Sequence, residues 1–443
     1  MNNIIQGNPT KSFFIAMLTR DISIKDAIID LLDNSIDGAS NIKPNDYSGL
    51  NIDITVNKNE FIVKDNCGGF SLETAQKYAF RFGRPDDAPK TNSTVGRFGV
   101  GMKRALFKIG QYFEIESKSV NDHFQVVVDV ENWKNKSKII EENGQKISID
   151  DWNFNFEHIT PDTSNLEENG TYISVKNLYP DVSSIFEDDS FLNDLAEDIE
   201  KLLNFSLEKG ITITLNGKQL QRKGIVLFNE QSSPYFFEET YGDVKIRVVA
   251  GLSYVGEPET SGWYIYCNDR LVLEADKSEL TGWDKPKWHI DFVMFKGIVF
   301  FDSLDTIKLP LTTTKKGIDA TSDIYKKALF FMKEAMTSII SFLRDVTKID
   351  SNPNDYRKLL GEQESKISVV ELKATDIIVS RKFKIPEINI EVISVKNDLV
   401  RIAFDAKKNK VISAKKHSKT RSYKELGEYV FDYYLKMEEL ENE

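Results

Sequence analysis

The segment Ala27–Ala39 has the sequence AIIDLLDNSIDGA, and its periodicity predicts one amphipathic helix. Residues three, four and seven positions apart share a helix face, so four polar residues of this segment form a single narrow stripe. These polar residues are Asp30, Asp33, Asn34 and Asp37. Apolar residues occupy the opposite arc, which predicts that the helix packs with its acidic and amide edge turned away from the core.

The acidic stripe has two interpretations. The first is the solvent-exposed face of an ordinary amphipathic helix. A solvated face, however, mixes charge signs, whereas this stripe holds Asp30, Asp33 and Asp37 with no Lys or Arg between them. Neighbouring like charges on a helix repel by about a few tenths of a kcal/mol per pair. The second interpretation is therefore a site for a hard cation such as Mg²⁺, which takes oxygen ligands of this type.

Length and composition restrict the class of protein. With 443 residues, the chain is long for one hydrophobic core, so we expect two or three domains. No stretch is long and apolar enough to span a bilayer, and Met1–Ser12 lacks the apolar centre of a signal peptide. Two cysteines make no disulfide framework, and four histidines show no zinc spacing. We therefore expect a cytoplasmic protein, and its net charge of −11 argues against nucleic-acid binding over the whole surface.

A strand that runs directly into glycines marks a second candidate site. Asn51–Val56 and Glu60–Val63 are predicted to pair as strands, and the chain continues as DNCGGF over Asp65–Phe70. Two glycines after a strand indicate a tight turn at which the backbone approaches another group closely. Asp65 at a buried strand end needs a hydrogen-bond donor. Ordinary loop chemistry is the alternative, because short Asp–Gly turns are common.

A glycine-rich segment before a helix is the third candidate. Val95–Gly110 reads VGRFGVGMKRALFKIG and follows the polar stretch Arg81–Thr94, whose length is typical of a lid. Glycines at this place leave the N-terminal N–H groups of the helix uncovered, which makes an anion site. Lys103 and Arg104 add positive charge there. The glycines are Gly96, Gly99 and Gly101. A plain glycine-rich turn is the alternative.

Beyond residue 200 the pattern predicts a second block of strands, followed by a long helix over Ala320–Arg344. The loop Leu309–Gly317 precedes that helix and carries Lys315 and Lys316, whose ordinary interpretation is surface charge. Ser351–Asp355 has the composition of a linker.

The C-terminal part combines two predicted strands, Lys366–Val370 and Ile388–Val395, with a basic stretch. Ala406–Lys424 contains no acidic residue in an otherwise acidic chain. Such a stretch binds phosphate-rich nucleic acid, docks an acidic protein, or is simply solvated. Its cations are Lys407, Lys408, Lys410, Lys415, Lys416, Lys419, Arg421 and Lys424.

Together and in this order, the acidic helix, the Asp–Gly turn, the lid and the glycine loop resemble the GHKL ATPases: DNA gyrase B, heat-shock chaperone ATPases, histidine kinases and MutL. The resemblance covers residues 8–180 and, less specifically, residues 200–345, which are similar to the transducer domain of the gyrase and MutL branch. Within that branch the chain is most similar to the MORC-type ATPases, through GRFGVGMK and through YIYCNDR at Tyr264–Arg270.

The resemblance implies an α+β fold in three parts. Residues 1–200 would form a GHKL (Bergerat) ATP-binding domain, an α/β sandwich with a mixed sheet. Residues 201–348 would form an α+β transducer domain with a βαβ crossover. Residues 349–443 would form a small C-terminal α+β region that carries the basic stretch.

It also implies roles for the acidic stripe. Asn34 would coordinate the Mg²⁺ that bridges the phosphates. Asp30 stands where the family places the general base that activates water, but the usual residue is Glu, and Asp is one methylene shorter. Asp33 and Asp37 would support the site toward its adenine end.

The other motifs would bind the two ends of the nucleotide. Asp65 would accept the adenine amino group, Gly69 would allow close approach, and Thr171 would support Asp65; Cys67 stands where the family has the first glycine of the turn. Lys315 would reach the γ-phosphate, with Lys316 as its alternative. The phosphates would lie in the segment that contains Gly96, Gly99, Val100, Gly101, Met102 and Lys103.

By this resemblance the protein is a slow, Mg²⁺-dependent ATPase that works as an ATP-gated clamp or switch, closing as a homodimer. DNA is its expected substrate if the basic stretch binds nucleic acid. The alternative is a chaperone-like scaffold that binds ATP and a second protein without DNA. A histidine kinase is disfavoured, because His123, His158, His289 and His417 do not lie on a paired-helix segment before the ATPase domain.

Overall fold

The computed structural model describes residues 7, 9–83, 100–142, 145–221, 224–229, 232–253, 256–284, 292–312, 317–349, 366–374, 382–386, 402 and 406–438. The chain divides into two compact units, Met1–Asn389 and Ile390–Glu443. The first unit contains two mixed β-sheets with helices, so the predicted α+β fold is confirmed. Within the described part of the chain, no helix has both the length and the apolar composition that crossing a bilayer requires.

Two helices begin the described chain, α1 (Lys11–Arg20) and α2 (Ile24–Ile42). The Ser23 side chain caps α2 by accepting a hydrogen bond from the backbone N–H of Asp26. The helix predicted over Ala27–Ala39 is longer at both ends, and it continues past Gly38 to Ile42. A Cβ atom at Gly38 would lie 2.6 Å from the Cys67 carbonyl oxygen, so this glycine permits close packing within the helix.

The first sheet has eight strands among the described residues, in the order β10-β9-β1-β2-β8-β3-β4-β7. Strands β1 and β9 pair in parallel and the other neighbours are antiparallel, so the sheet is mixed, as predicted. The strands are β1 (Asn51–Val56), β2 (Glu60–Asp65), β3 (Gly110–Lys118), β4 (His123–Asp129), β7 (His158–Ile159), β8 (Gly170–Leu178), β9 (Thr212–Leu215) and β10 (Lys218–Gln219).

Helices connect these strands and cover the sheet. They are α3 (Leu72–Thr74), which continues into a π-helical turn at Ala75–Ala79, and α4 (Gly101–Ile109), α5 (Val130–Asn135), α6 (Pro180–Phe186), α7 (Asp189–Leu202) and α8 (Asn204–Glu208). A separate hairpin consists of β5 (Ser137–Glu142) and β6 (Gln145–Asp150). Helices α2 and α4 pack against each other, and their apolar faces join one core with the sheet.

The second sheet has five strands among the described residues, in the order β12-β13-β16-β14-β15. Its strands are β12 (Tyr235–Tyr241), β13 (Val244–Leu252), β14 (Gly262–Cys267), β15 (Arg270–Asp276) and β16 (Phe295–Asp302). The long helix predicted at Ala320–Arg344 is α9 (Asp323–Ile349), and it packs on β13 and β16.

The predicted βαβ crossover differs from what the structure shows. Strands β14 and β16 are parallel neighbours, but the described part of their connection contains β15 and a 3₁₀ turn at Glu279–Thr281 rather than an α-helix. The chain therefore passes from β14 to β16 by way of β15. Helix α9 comes after β16 in the sequence and does not connect the two parallel strands.

The segment after the second sheet also differs from prediction. Strand β17 (Lys366–Ser368) pairs with β11 (Val226–Phe228), but helix α10 (Val369–Ala374) begins immediately, so the predicted strand over Lys366–Val370 is too long. The reason is a local cap: the Ser368 hydroxyl accepts from the Glu371 N–H, and the Glu371 carboxylate accepts from the Ser368 N–H. The predicted strand Ile388–Val395 lies outside the described residues.

The second unit contains two helices among its described residues, α11 (Lys408–Ser418) and α12 (Tyr423–Met437). A capping box at Ser422 and Glu425 begins α12. Leu426 on α12 is buried. Several large apolar or aromatic side chains of α12 are exposed, namely Tyr423, Tyr429, Val430, Phe431, Tyr433, Tyr434 and Met437.

A buried carboxylate holds the loop that leads into β8. Glu116 on β3 is fully buried and accepts hydrogen bonds from the Asn165 N–H at 3.0 Å and the Ser164 hydroxyl at 2.5 Å, and contacts His123 Nε2 at 2.7 Å. Burial alone would raise the pKa of Glu116, but the bonds from Ser164, His123 and Asn165 outweigh it and lower the pKa to about 2. The carboxylate therefore stabilises the fold only in its ionised form.

Glu116→Gln is expected to destabilise the protein by about 2–3 kcal/mol at pH 7, because hydrogen bonds to a buried charge are lost. Since the folded pKa is lowered, this stability is present above the ordinary Glu pKa and is lost as the pH falls toward 2. The measurement is urea unfolding at several pH values. Glu114→Gln is the matched control, because burial raises the pKa of Glu114 on the same strand. Equal destabilisation by both variants at pH 7 would contradict this role of Glu116.

Candidate functional site

Asp65 lies at the end of β2, where it joins three elements. Its carboxylate is buried and accepts hydrogen bonds from the Ser35 hydroxyl of α2 at 2.7 Å, the Cys67 N–H at 2.9 Å and the Thr171 N–H of β8 at 3.1 Å. Burial raises the pKa of Asp65, and these three donors act in the opposite direction. The hydrogen-bond donors that we expect for a buried Asp65 are thus supplied by the protein itself.

Ser35 is a site residue that the sequence analysis missed. It is buried on α2, next to the predicted Asn34, and its hydroxyl fixes the orientation of the Asp65 carboxylate. One signal in the sequence could have found it. Ser35 falls on the apolar arc of the helix, together with Leu31, Leu32 and Ala39, where a hydroxyl needs a partner.

The turn after Asp65 is as tight as the glycines predict. Gly68 and Gly69 have positive φ angles of 89° and 60°, which favour glycine. A Cβ atom at Gly69 would lie 2.3 Å from the Lys118 carbonyl oxygen and 2.7 Å from that of Gly170. The groups that approach Gly69 here are therefore backbone atoms of β3 and β8.

The acidic stripe of α2 is not turned toward solvent as predicted. Asp30 and Asp33 are only 5% and 3% exposed, whereas Asn34 is exposed and Asp37 is half-buried. The reason is that cationic side chains cover part of the stripe. Arg104 Nη2 lies 2.5 Å from Asp30 Oδ2, and Arg270 contacts Asp33. The positive charge that the sequence predicts beside the stripe comes, in this structure, from the guanidinium groups of Arg104 and Arg270.

Helix α4 begins beside Asp30. A Cβ atom at Gly101 would lie 3.4 Å from Asp30 Oδ2, so the first residue of the helix lies beside this carboxylate. The Val100 carbonyl accepts from the Arg104 N–H at 2.9 Å, and Met102 packs on the core while half-buried. The start of α4 thus lies beside Asp30, and the N–H groups at a helix N-terminus favour an anion. The predicted Gly96 and Gly99 lie outside the described residues.

The Lys103 side chain contacts the turn after α3. Its ammonium is buried and donates a hydrogen bond to the Ala79 carbonyl at 2.6 Å, in the π-helical turn after α3. Burial lowers the pKa of Lys103 to about 7. In this conformation Lys103 ties α4 to the start of the predicted lid, and its contact with a phosphate stays a prediction.

Two guanidinium groups near Asp30 have N–H donors that could bind a polyphosphate. Within the described residues, the Nε atoms of Arg104 and Arg270 are buried without a hydrogen-bond partner. An unpaired buried guanidinium donor is unfavourable unless an acceptor arrives. Together with the start of α4 and the exposed Asn34 amide, these donors fit a bound phosphate chain with its Mg²⁺.

The second sheet reaches the site through the tip of the β14–β15 hairpin. Arg270 at this tip contacts Asp33 of α2. The preceding Asp269 contacts Lys209 at 2.7 Å and Lys373 of α10, and Lys373 also contacts Asp302 at the end of β16 at 2.6 Å. The adjacent residues Asp269 and Arg270 at this tip therefore form ion pairs in two directions, with α2 through Arg270 and with Lys209 and α10 through Asp269.

The predicted γ-phosphate lysines, Lys315 and Lys316, lie outside the described residues. The residues that flank them are paired: Leu311 and Ile318 form an antiparallel bridge, and the Thr312 N–H donates to the Gly317 carbonyl at 3.0 Å. A cavity of about 520 Å³ lies elsewhere, between α9 and the turn at Gly282, and its lining contains none of the predicted nucleotide residues.

Comparison with known proteins agrees with this geometry. Residues 22–165 match the family described as histidine kinase-, DNA gyrase B-, and HSP90-like ATPase. No curated protein matches the chain. The matched segment contains α2, the Asp65 turn and α4, whereas Thr171 and the lysine loop lie beyond it. Residues 22–165 are thus a GHKL-type ATPase domain, which binds and hydrolyses ATP in that family.

Proposed function

We propose that this protein is a slow, Mg²⁺-dependent ATPase of the GHKL type that works as an ATP-gated, dimerising switch. The observation that carries the proposal is the position of Asp30, which lies at the N-terminus of α4 while Asn34 is exposed on the same helix face. A general base, an amide ligand and an anion-binding helix end are the parts that hydrolysis of a phosphoanhydride requires.

Asp65 is the proposed adenine acceptor. An ionised carboxylate offers about four lone-pair positions, and three protein donors occupy part of this capacity. The remaining capacity is available for the exocyclic amino group of adenine. Because Ser35, Cys67 and Thr171 fix the carboxylate, it is oriented before the nucleotide binds, which reduces the entropy lost on binding.

The acidic stripe and the loop before α4 are the proposed phosphate end. Asn34 supplies an oxygen ligand for Mg²⁺, and Asp30 accepts the proton of the attacking water. A Mg²⁺ ion held there would supply positive charge to the phosphate oxygens. By the resemblance, the phosphates would be bound by Gly96, Gly99, Val100, Gly101, Met102 and Lys103, and Lys315 would approach the γ-phosphate. Asp37 would support the site toward its adenine end.

The ion pairs made by the neighbouring residues Asp269 and Arg270 support the switch part of the proposal. A movement of α2 at the nucleotide changes the Asp33–Arg270 contact, and the fixed Asp269 carries that change to β16 and α10. The tip lies in YIYCNDR, one of the two segments most similar to MORC-type ATPases. Residues 1–200, 201–348 and 349–443 are the corresponding proposed domains.

DNA is the proposed substrate of the switch, and a protein partner held by a scaffold is the second candidate. The eight cations of the basic stretch lie on α11, beside it and in the first turn of α12, and exposed aromatic rings follow on α12. Lys415 Nζ lies 4.9 Å from the centre of the Tyr423 ring. Cations beside exposed rings favour nucleic acid, because phosphates pair with lysine and bases stack on tyrosine. The same exposed rings would suit a protein partner.

The test is sedimentation and ATP turnover with and without DNA. We expect a dimer with Mg²⁺ and a non-hydrolysable ATP analogue, a monomer without nucleotide, and DNA binding whose affinity falls as salt rises. Lys415→Glu plus Lys416→Glu should weaken DNA binding by about tenfold or more at 0.1 M salt. Lys326→Glu plus Lys327→Glu makes the same charge change on exposed positions of α9 and is the matched control.

Each outcome separates the candidates. A monomer in every nucleotide state would exclude the dimerising switch while leaving the ATPase. DNA binding that is absent, or that responds equally to both double variants, would exclude the DNA role. ATP binding without turnover and without a DNA effect would favour the scaffold.

A further inference from the structure

The hairpin of β5 and β6 forms a two-stranded sheet of its own, separate from the eight-stranded sheet. Among the described residues no further strand pairs with β6, so one edge of this strand is open. Two strands alone are marginally stable, and an open edge can accept another strand. Along β6, Lys146, Ser148 and Asp150 are exposed, whereas Ile147 and Ile149 are half-buried.

The base of the hairpin is held by α1 and α5. Lys11 of α1 is buried, and its ammonium donates hydrogen bonds to the Trp133 carbonyl of α5 and, at 2.7 Å, to the Lys136 carbonyl. Lys136 also forms an ion pair with Asp151 at 3.2 Å. These contacts fix both strands at the base of the hairpin, so the open edge of β6 is oriented before any partner binds.

The backbone pairing shows which residues of β6 face the open edge. The Asp151 N–H donates to the Lys136 carbonyl at 3.0 Å, so this pair is hydrogen-bonded within the hairpin. Strands β5 and β6 pair in continuous register, and hydrogen-bonded and non-hydrogen-bonded pairs alternate along an antiparallel ladder. Lys146, Ser148 and Asp150 are therefore in non-hydrogen-bonded pairs, and their N–H and C=O groups point away from β5.

We propose that the open edge of β6 pairs in antiparallel orientation with the same edge of a second copy of this chain, about a two-fold axis at Ser148. This register places Lys146 opposite Asp150 of the second copy at both ends of the contact. It also places Ile147 opposite Ile149, and Ser148 opposite itself. Opposite charges and apolar pairs directly across two strands each stabilise a sheet.

Charge complementarity selects both the register and a second copy as the partner. A two-fold axis relates residues on the same face of the sheet, so the axis must lie at a residue rather than between two residues. An axis at Ile147 would place Lys146 opposite Ser148, and an axis at Ile149 would place Asp150 opposite Ser148. Only the axis at Ser148 brings Lys146 and Asp150 together. A lysine on an edge strand usually opposes pairing, but here it meets a carboxylate.

The isoleucines of the hairpin would gain burial in this contact. Ile140 of β5 pairs with Ile147 and, like it, is half-buried. In the four-stranded sheet, Ile147 and Ile149 of one copy lie beside Ile149 and Ile147 of the other, which makes one apolar strip across the axis. The contact is small, so the association is weak and the chain stays monomeric at low micromolar concentrations.

The test is sedimentation equilibrium of the full chain without nucleotide, from a few micromolar to several hundred micromolar. We expect a monomer at the lowest concentration and an increasing share of dimer at the highest. Lys146→Asp and Asp150→Lys each place like charges opposite each other at both ends of the contact. Each should weaken dimerisation by about tenfold or more.

An equimolar mixture of these two variants tests the register. One variant then carries carboxylates at both positions of the edge and the other carries ammonium groups, so opposite charges meet again. Mixed dimers should form about as well as dimers of the unchanged protein. Lys138→Asp is the matched control, because it makes the same charge change at an exposed position of β5, away from the axis, and should leave dimerisation unchanged.

A further variant tests the backbone contact itself. Ser148→Pro removes an N–H that points to the open edge and leaves the hydrogen bonds between β5 and β6 intact, as edge strands permit. It should weaken dimerisation by about tenfold or more. If Lys146→Asp does not fold, as measured by circular dichroism, Ser148→Pro decides the question.

This inference stands apart from the proposed ATPase, because its test contains no nucleotide. A chain that is monomeric at every concentration would overturn it. Equal association in folded Lys146→Asp, or no association in the mixture of the two folded variants, would also overturn it. DNA binding that Lys146→Asp weakens, without any self-association, would assign the edge to another partner. Failure to bind or hydrolyse ATP would overturn the proposed function and leave this contact unaffected.

Discussion

Asp65→Asn is expected to weaken ATP binding by about 2–4 kcal/mol, which is about 30-fold to 1,000-fold in Kd. The substitution removes the charged acceptor for the adenine amino group. It also places an NH₂ group among three donors, from Ser35, Cys67 and Thr171, so at least one buried donor loses its acceptor. The measurement is calorimetric titration of the folded variant with ATP and Mg²⁺.

Ser35→Ala is the matched control for this prediction. It removes one donor to Asp65 but keeps the carboxylate, so we expect a loss in affinity of about tenfold or less. Thermal unfolding of both variants separates lost binding from lost folding. Unchanged ATP affinity in folded Asp65→Asn would show that this carboxylate does not bind the adenine.

Asp30→Ala is expected to lower kcat by about 10²-fold to 10⁴-fold, the usual contribution of a general base. ATP should still bind within about threefold of the unchanged protein, because binding depends on Asp65, Asn34 and the start of α4. The variant should therefore accumulate as an ATP-loaded dimer. Turnover and sedimentation are measured together.

Two further substitutions sharpen this test. Asp30→Asn keeps the shape of the side chain and should be equally inactive, whereas Asp30→Glu restores the family's usual base and should hydrolyse ATP. Asp26→Asn removes a carboxylate one turn earlier on α2, where Asp26 contacts Ser23 at the start of the helix, and should leave turnover unchanged. Near-normal turnover in Asp30→Ala would remove Asp30 from the mechanism.

Local patterns predicted the elements that carry the site. The period of the apolar residues indicates α2, and its buried arc follows from the same pattern. The glycines after Asp65 indicate a tight turn, and Gly69 indeed has a positive φ angle and close backbone neighbours. These features depend on residues that are close together in the chain, so a single sequence is enough to predict them.

The environment of the acidic stripe could not be predicted in the same way. Asp30 and Asp33 are buried because Arg104 and Arg270 cover them, and these arginines come from distant elements, α4 and β15. The pairing depends on how the helix and the hairpin pack, and helical periodicity contains no information about that. The sequence indicated that a cation belongs here but could not identify it.

The sequence contains an indication of where the Lys103 side chain lies. At helical pitch, Lys103 shares a face with Leu106 and Phe107, both of which are buried. A lysine on an apolar face reaches for a backbone acceptor, and Lys103 donates to the Ala79 carbonyl. Its neighbour Arg104 falls on the side that faces α2, which is why Arg104 rather than Lys103 meets Asp30.

Whether the protein hydrolyses ATP with Asp30 as its base is measured by Mg²⁺-dependent release of phosphate from ATP by the full chain. We predict slow conversion of ATP to ADP and phosphate that stops when the Mg²⁺ is chelated and falls by about 10²-fold or more in Asp30→Asn. Folded protein that releases no phosphate above the buffer rate, or that releases it equally in Asp30→Asn, would contradict the account.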